Sequence, residues 1–222
     1  RNGEIRLLSM DIATQGGSKN DATCFTLMQL LPTSSNQYIR NVLYITTLDG
    51  GHTFDQALKA RRLFEDFDCD YIIVDTNGVG IGVFDNLVIE QVDDERNTVY
   101  PAWSCINDDK MAERCKDPEA EKVIYSIKAT AKFNSDAAVY LRDCIKRGKL
   151  RLLINEIDSN DILNRSKAFQ NLLVEDQVMF QEPFYQTTAM IKEMINLDYT
   201  ATDGKIKVVE VAGMRKDRYS SI

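Results

Sequence analysis

Residues 4–12 open the chain as an extended run with Ile5, Leu7, Leu8 and Met10 apolar, which predicts a strand. A polar, glycine-containing turn at 14–20 leads to a second extended run at 22–31, and a third follows at 38–48. Three consecutive strands with short polar connections predict an antiparallel meander. Asp49-Gly50-Gly51 breaks the third strand. Phe54, Ala57, Leu58, Arg61, Phe64 and Phe67 then recur at helical spacing, and Thr53 with Gln56 has the form of a capping box, so 53–67 predicts a helix. The short β-branched run at 70–75, DYIIVD, predicts a buried parallel strand.

The second half alternates less clearly. Residues 77–87 turn over glycines into a short helix. Residues 88–118 are polar and acidic with no clear period, apart from one short strand-like run at 99–103. A helix capped by Ser135 or Asn134 carries Ala138, Leu141, Cys144 and Ile145 and is closed by Gly148. A short strand at 149–153 follows. Ser159 starts another helix, with Ile162, Leu163, Phe169, Leu172 and Leu173 on one face, and 188–196 is helical too. Asp203-Gly204 between 197–201 and 206–211 is a hairpin signal. Gly213 opens a final helix. A meander, a helix and a returning parallel strand make an α/β, RNase H-like mixed sheet flanked by helices the predicted fold.

Composition fits one domain over 1–222: 44% hydrophobic and 27% charged residues can bury a core without staples. Five dispersed cysteines without a CxxC pair predict a reduced, intracellular, cytoplasmic protein with no structural zinc. No apolar run approaches membrane-spanning length and no signal peptide is visible. The start at Arg1 predicts a piece of a longer chain. A net charge of −7 does not suggest a nucleic-acid binder, but the charge is uneven. Residues 121–151 hold eight basic residues against three acidic ones, a net of +5, leaving −12 on the rest. That segment is either a solvated helix face or a surface that tracks phosphates. Lys128 and Lys132 are its candidate DNA contacts.

Asp11 and Asp75 each end an apolar strand, and in this topology the two strands lie side by side and parallel. Each aspartate alone would be an ordinary strand terminator. As a pair at one sheet edge they repel unless a cation neutralises them, and Mg²⁺ or Mn²⁺ prefers such oxygen ligands. Asp217, opening the final helix, is the candidate third carboxylate, although an acid in a first helical turn has an ordinary explanation. Asp21 is a further candidate ligand that reads more readily as a turn residue. Gly78, Gly80 and Gly82 are spaced G-x-G-x-G rather than G-x-G-x-x-G, so a tight turn is preferred to a dinucleotide site. The single histidine, His52, lies in a glycine turn and is expected to face solvent.

Asp11-Ile12-Ala13, Gly16-Gly17 and Asp21-Ala22-Thr23 resemble the first nuclease motif of viral, bacteriophage-type large terminase subunits. Asp75-Thr76-Asn77-Gly78-Val79-Gly80 is similar to the second motif, and Lys216-Asp217-Arg218-Tyr219-Ser220-Ser221 to the third. The three span nearly the whole chain. The resemblance implies metal roles for Asp11, Asp75 and Asp217, and a nuclease that cuts concatemeric double-stranded DNA during genome packaging. It also implies an N-terminal ATPase motor, with the portal and the small terminase subunit as partners. This chain has no G-x-x-x-x-G-K-[ST] phosphate loop, so the motor is expected elsewhere in a longer protein. The expected chemistry uses two ions, one for the attacking water and one for the leaving 3′ oxygen. The rival readings are a Holliday-junction resolvase or transposase catalytic domain, an actin-like or sugar-kinase ATPase domain, and a non-catalytic interaction domain.

Overall fold

The computed structural model describes residues 2–13, 22–34, 37–202, 205–211 and 216–222. Strands β1 (Ile5–Asp11), β2 (Ala22–Pro32) and β3 (Tyr38–Asp49) form the expected meander, with Met10 opposite Phe25 and Cys24 opposite Thr47. Helix α1 (Thr53–Asp66) returns the chain to β4 (Tyr71–Asp75), which pairs parallel with β1. Helix α2 (Gly80–Leu87) follows, then a small hairpin of β5 (Gln91–Asp93) and β6 (Thr98–Tyr100). Next come β7 (Trp103–Cys105), α3 (Asp109–Ala112), β8 (Glu121–Ile127) and α4 (Ala131–Lys146). The chain continues through β9 (Leu150–Arg151), α5 (Glu156–Leu163), α6 (Lys167–Gln170) and α7 (Val174–Ile195). A hairpin of β10 (Leu197–Thr202) and β11 (Lys205–Glu210) precedes α8 (Asp217–Ser220).

Among the described residues the main sheet has seven strands in the order β7-β8-β4-β1-β2-β3-β9, and β2 alone runs against the other six. This is the predicted mixed sheet. Alternation along each strand sorts the side chains between two faces. Leu8, Met10, Phe25, Leu27, Ile72 and Val74 pack against Ala57, Leu63, Val83, Phe84 and Leu87 of α1 and α2. Each fully buried aliphatic side chain there contributes about 1.5–3 kcal/mol. On the opposite face Cys24, Met28, Val42 and Ile45 meet Met190 of α7. Among the described residues no helix is long and apolar enough to cross a membrane.

Several local expectations change. Helix α1 is capped one residue earlier than predicted: the His52 N–H donates to Asp55 Oδ2 at 2.8 Å, and His52 is exposed as expected. Gln56 is thereby released to the interior. Strand β8 does not stand out in the sequence, because Glu121, Lys122 and Tyr125 interrupt its apolar pattern and lie exposed. Only its neighbours β4 and β7 make it a central strand. The run at 99–103 divides between β6 and β7, which belong to different sheets. Helix α4 starts earlier than expected, with Thr130 Oγ1 accepting from the Phe133 N–H at 3.2 Å. Ser135 is inside it and accepts from the Ile206 N–H at 2.9 Å, tying β11 to the helix.

The helix expected from Ser159 is two helices, capped by Asn155 and Ser166. Ile162 and Leu173 are exposed, and of the proposed face only Phe169 is fully buried. Helix α7 begins well before residue 188 and carries Pro183 in its interior, a residue that ordinarily marks a break. Asp203-Gly204, Gly213, and the turn at 14–20 lie outside the described residues. All five cysteines are free, and Cys24, Cys69 and Cys144 are buried as expected of core residues.

Candidate active site

Met10 pairs with Val74 across the parallel strands, so one step further Asp11 and Asp75 stand beside each other. Side-chain parity separates both from the core, since Met10 and Val74 point to α1 and α2. Asp11 and Asp75 leave the other face, with Ser9 and Ile73, and line one end of a cleft of about 1000 Å³ between the sheet, α4 and β11. The chain after Asp11 is held from below. The Ala13 N–H donates to Thr23 Oγ1 at 3.1 Å, and buried Gln56 donates Nε2 to Thr23 Oγ1 at 2.8 Å and to the Ala13 carbonyl at 3.3 Å. Nothing in the sequence singled out Gln56 for this role beyond its misassigned cap.

Asp75 is oriented by backbone. Its Oδ1 accepts from the Asn77 N–H at 3.1 Å and from the Ala129 N–H at 3.4 Å. The glycines that follow make the tight turn expected of them. Gly78 has φ +55°, and a Cβ on Gly80 would overlap the Asp75 carbonyl oxygen. Thr76 Oγ1, 2.7 Å from Ser126 Oγ, fastens this turn to β8.

Asp217 comes from the far end of the chain and accepts from the N–H of Ala22, the first residue of β2, at 3.3 Å. Helix α8 is docked by buried polar contacts: Ser221 Oγ lies 2.7 Å from Thr26 Oγ1 and 3.3 Å from Cys24 Sγ. Glu193 of α7 accepts from the Arg218 and Tyr219 N–H groups at 3.0 and 3.1 Å and from Arg218 Nη1 at 2.6 Å. The result is electrostatic. The Asp11 carboxyl is pushed up from 3.8 to about 7, by burial first and then by the charge of Asp217, with Asp75 adding to both. Lys216 and a hydrogen bond from Ser220 pull it the other way. Lys216 and Ser220 flank Asp217 in the sequence motif, but their approach to Asp11 depends on how α8 docks.

Asp11, Asp75 and Asp217 are therefore brought into one field from three separate elements. Among the described residues no three His, Cys, Asp or Glu side chains already stand together closely enough to hold an ion. The donor chemistry nevertheless fits a hard divalent cation. The set is all carboxylate, and the burial and the neighbouring charges that keep Asp11 protonated towards neutrality are what such a cation offsets. Asp21 lies outside the described residues. Lys128 pairs with Asp108 at 3.3 Å, and Lys132 pairs with Asp136 one turn along α4 at 2.6 Å. Neither lines the cleft, whose cations are Arg40, Lys205, Lys207 and Lys216.

No protein-family model matches the sequence, and no curated protein matches it. Among solved structures the chain is similar to the crystal structure of the large terminase nuclease from thermophilic phage G20c. The match has a TM-score of 0.54 at 13% identity and covers 100% of this chain and 80% of that one. With the strand order above, the likeness establishes an RNase H-like mixed sheet flanked by helices as the fold of this chain.

Proposed function

We propose that this chain is a divalent-metal-dependent endonuclease of the large-terminase kind, cutting double-stranded DNA during viral genome packaging. The observation that carries the reading is the Asp11 carboxyl, held up to about 7 at the end of β1 by burial and by the charges of Asp217 and Asp75. The fold shared with a phage large terminase nuclease supports it.

Asp11, Asp75 and Asp217 would hold Mg²⁺ or Mn²⁺, with two ions as the expected number and Asp21 as a further candidate ligand. The bound ions supply the positive charge that acidifies an attacking water and stabilises a leaving 3′ oxygen. The chain itself orients the ligands. Backbone N–H groups of Asn77 and Ala129 fix Asp75, and Lys216 favours the anionic form of Asp11. Asp11 has to release its proton before it can serve. Lys128 precedes Ala129, and with Lys132 it offers positive charge to DNA phosphates on the α4 side. In the full protein an N-terminal ATPase domain, the portal and the small terminase subunit are the expected partners, inside the infected or lysogenic host cell.

The test is cleavage of supercoiled plasmid with Mn²⁺, with circular dichroism on each variant. Asp11→Asn, Asp75→Asn and Asp217→Asn should each lower the rate by about 100-fold or more while keeping the fold, because asparagine keeps the size but loses the charge that holds a hard cation. Wild-type rates in a folded Asp11→Asn protein would rule the mechanism out.

A further inference from the structure

We infer that Glu193 is a positioning residue for the candidate metal centre: by capping α8 from outside, it holds Asp217 in the field of Asp11. The inference rests on the metal-dependent reading above. Helix α8 has four residues, too few to be stable alone. Its own N-cap residue, Lys216, makes no side-chain capping bond, so the first-turn N–H groups need a partner from elsewhere. Glu193 supplies it. Its Oε2 takes the main-chain N–H groups of Arg218 and Tyr219, and its Oε1 takes the Arg218 guanidinium. Gln186, two turns earlier on α7, accepts from Arg218 Nε at 2.7 Å. One side chain thus fixes both the backbone and the head group of the residue that follows Asp217.

The chemistry selects a carboxylate. Glu193 is 5% exposed and faces three N–H donors. A carboxylate only accepts, so it can satisfy all three, whereas a glutamine would turn its own NH₂ towards a donor. A buried charge is costly unless it is paired and fully hydrogen-bonded, and the Arg218 pair meets that condition. The arrangement places a paired, hydrogen-bonded charge network behind a four-residue helix whose first residue is Asp217. Its role is to keep the third carboxylate in place, across the 195 positions that separate Asp217 from Ala22.

The experiment is Mn²⁺ titration of the whole chain by calorimetry, together with the Mn²⁺-induced rise in melting temperature; neither readout needs cleavage. Glu193→Gln should fold and bind Mn²⁺ about 10-fold or more weakly, the range expected for residues that orient ligands. Adding Asp217→Asn to it should then cost much less than Asp217→Asn costs in the wild type, because the two changes act on one ligand. Gln186→Ala, which removes the acceptor for Arg218 Nε and also a 3.3 Å bond from Gln186 Nε2 to Thr47 Oγ1, should weaken Mn²⁺ by about 2–3-fold, a smaller step on the same scale, and Thr47→Val serves as the control for the second contact. Wild-type Mn²⁺ affinity in folded Glu193→Gln, or full additivity in the double variant, would overturn the inference. If Glu193→Gln does not fold, unchanged affinity in Gln186→Ala overturns it. If the wild type binds Mn²⁺ and Asp217→Asn binds it equally well, Asp217 is no ligand and the inference fails with that assignment; a wild type that binds no Mn²⁺ sinks the metal reading itself.

Discussion

Asp11 follows Met10 and Asp75 follows Val74 on adjacent parallel strands, so the two carboxyls leave the sheet on one face with backbones about 5 Å apart. In the absence of a cation, the burial of Asp11 together with the charges of Asp217 and then Asp75 should cost stability in a pH-dependent way. The Asp11 carboxyl rises from 3.8 to about 7 in the folded protein, so the folded state binds its proton more tightly than the unfolded chain does. Stability is then fully present below about pH 4 and is lost as pH rises towards 7. Asp11→Asn cannot ionise, and it should exceed the wild type above pH 7 by on the order of 2–4 kcal/mol. Urea melts from pH 4 to pH 8 in chelator check this. A difference between the two proteins that stays flat across that range would remove the electrostatic account of the site.

The glycine turn after Asp75 makes a second, steric prediction. Gly80 touches the Asp75 carbonyl oxygen so closely that a methyl group has nowhere to go, and the atom in the way is backbone. Gly80→Ala should lower stability by about 1–3 kcal/mol and reduce the Mn²⁺-induced rise in melting temperature, because relieving the overlap moves Asp75. Gly78→Ala provides the comparison: its left-handed φ of +55° strains any side chain, but no neighbour stands within 4 Å of the added atom. It should destabilise with a smaller effect on the Mn²⁺ response. Equal Mn²⁺ responses in the two variants would separate the turn from the site.

These two relationships explain how much of the site was legible. The pairing of Asp11 with Asp75 follows from local signals, apolar runs of the right length ending in an acid, and from a topology that fixes their parity. Asp217 is a candidate in the sequence only as an acid opening the final helix, strengthened by motif resemblance, since its position depends on α8 docking through Thr26, Ser221 and Glu193. Those contacts join residues with no sequence relation to one another. Gln56 carried a recognisable pattern that the structure uses differently: its amide supports Thr23 and Ala13 rather than a helix end. Strand β8 is hidden because its backbone pairing with β4 and β7 fixes it in the sheet, while Glu121, Lys122 and Tyr125 stay exposed and break its apolar pattern.

Arg61 was legible as a position and illegible as chemistry. Its place in the apolar repeat of α1 is correct, and it is fully buried. The guanidinium is satisfied by the carbonyls of Leu87, Ile89 and Pro101 and by the Gln91 side chain, and it lies 4.5 Å from the Trp103 ring centre. Burial lowers it from 12.5 to about 10, which keeps it charged at neutral pH. It therefore pins the segment from 87 to 101, with its β5–β6 hairpin, onto α1. Arg61→Ala should cost about 3–5 kcal/mol by leaving these acceptors unsatisfied beside a cavity. Arg61→Met, which refills the volume, should recover part of that loss. Chemical denaturation of both measures it, and a loss under 1 kcal/mol for alanine would mean that the segment is held by other contacts.

The basic segment gives the last prediction, and the structure divides its two candidates. Lys128 is adjacent to Ala129, whose N–H bonds Asp75, and its pairing with Asp108 at 3.3 Å leaves the side chain 57% exposed. Lys132 is the second residue of α4 and is 75% exposed, with Asp136 at 2.6 Å on the same helix face. Exposed pairs of this kind contribute little to stability and can be exchanged for a phosphate contact. A cation one residue from an Asp75 contact is better placed to meet a scissile strand than one three residues from it. Lys128→Glu should therefore weaken duplex DNA binding more than Lys132→Glu, and should lower the slope of log affinity against log salt by about 1. Lys132→Glu should change that slope by less. Both need measuring over a range of salt with an inactive Asp75→Asn background, so that cleavage does not distort the titration. Equal slopes for the two variants and their parent would mean that neither lysine meets phosphate, and would shift attention to Lys205 and Lys207, which line the cleft from β11.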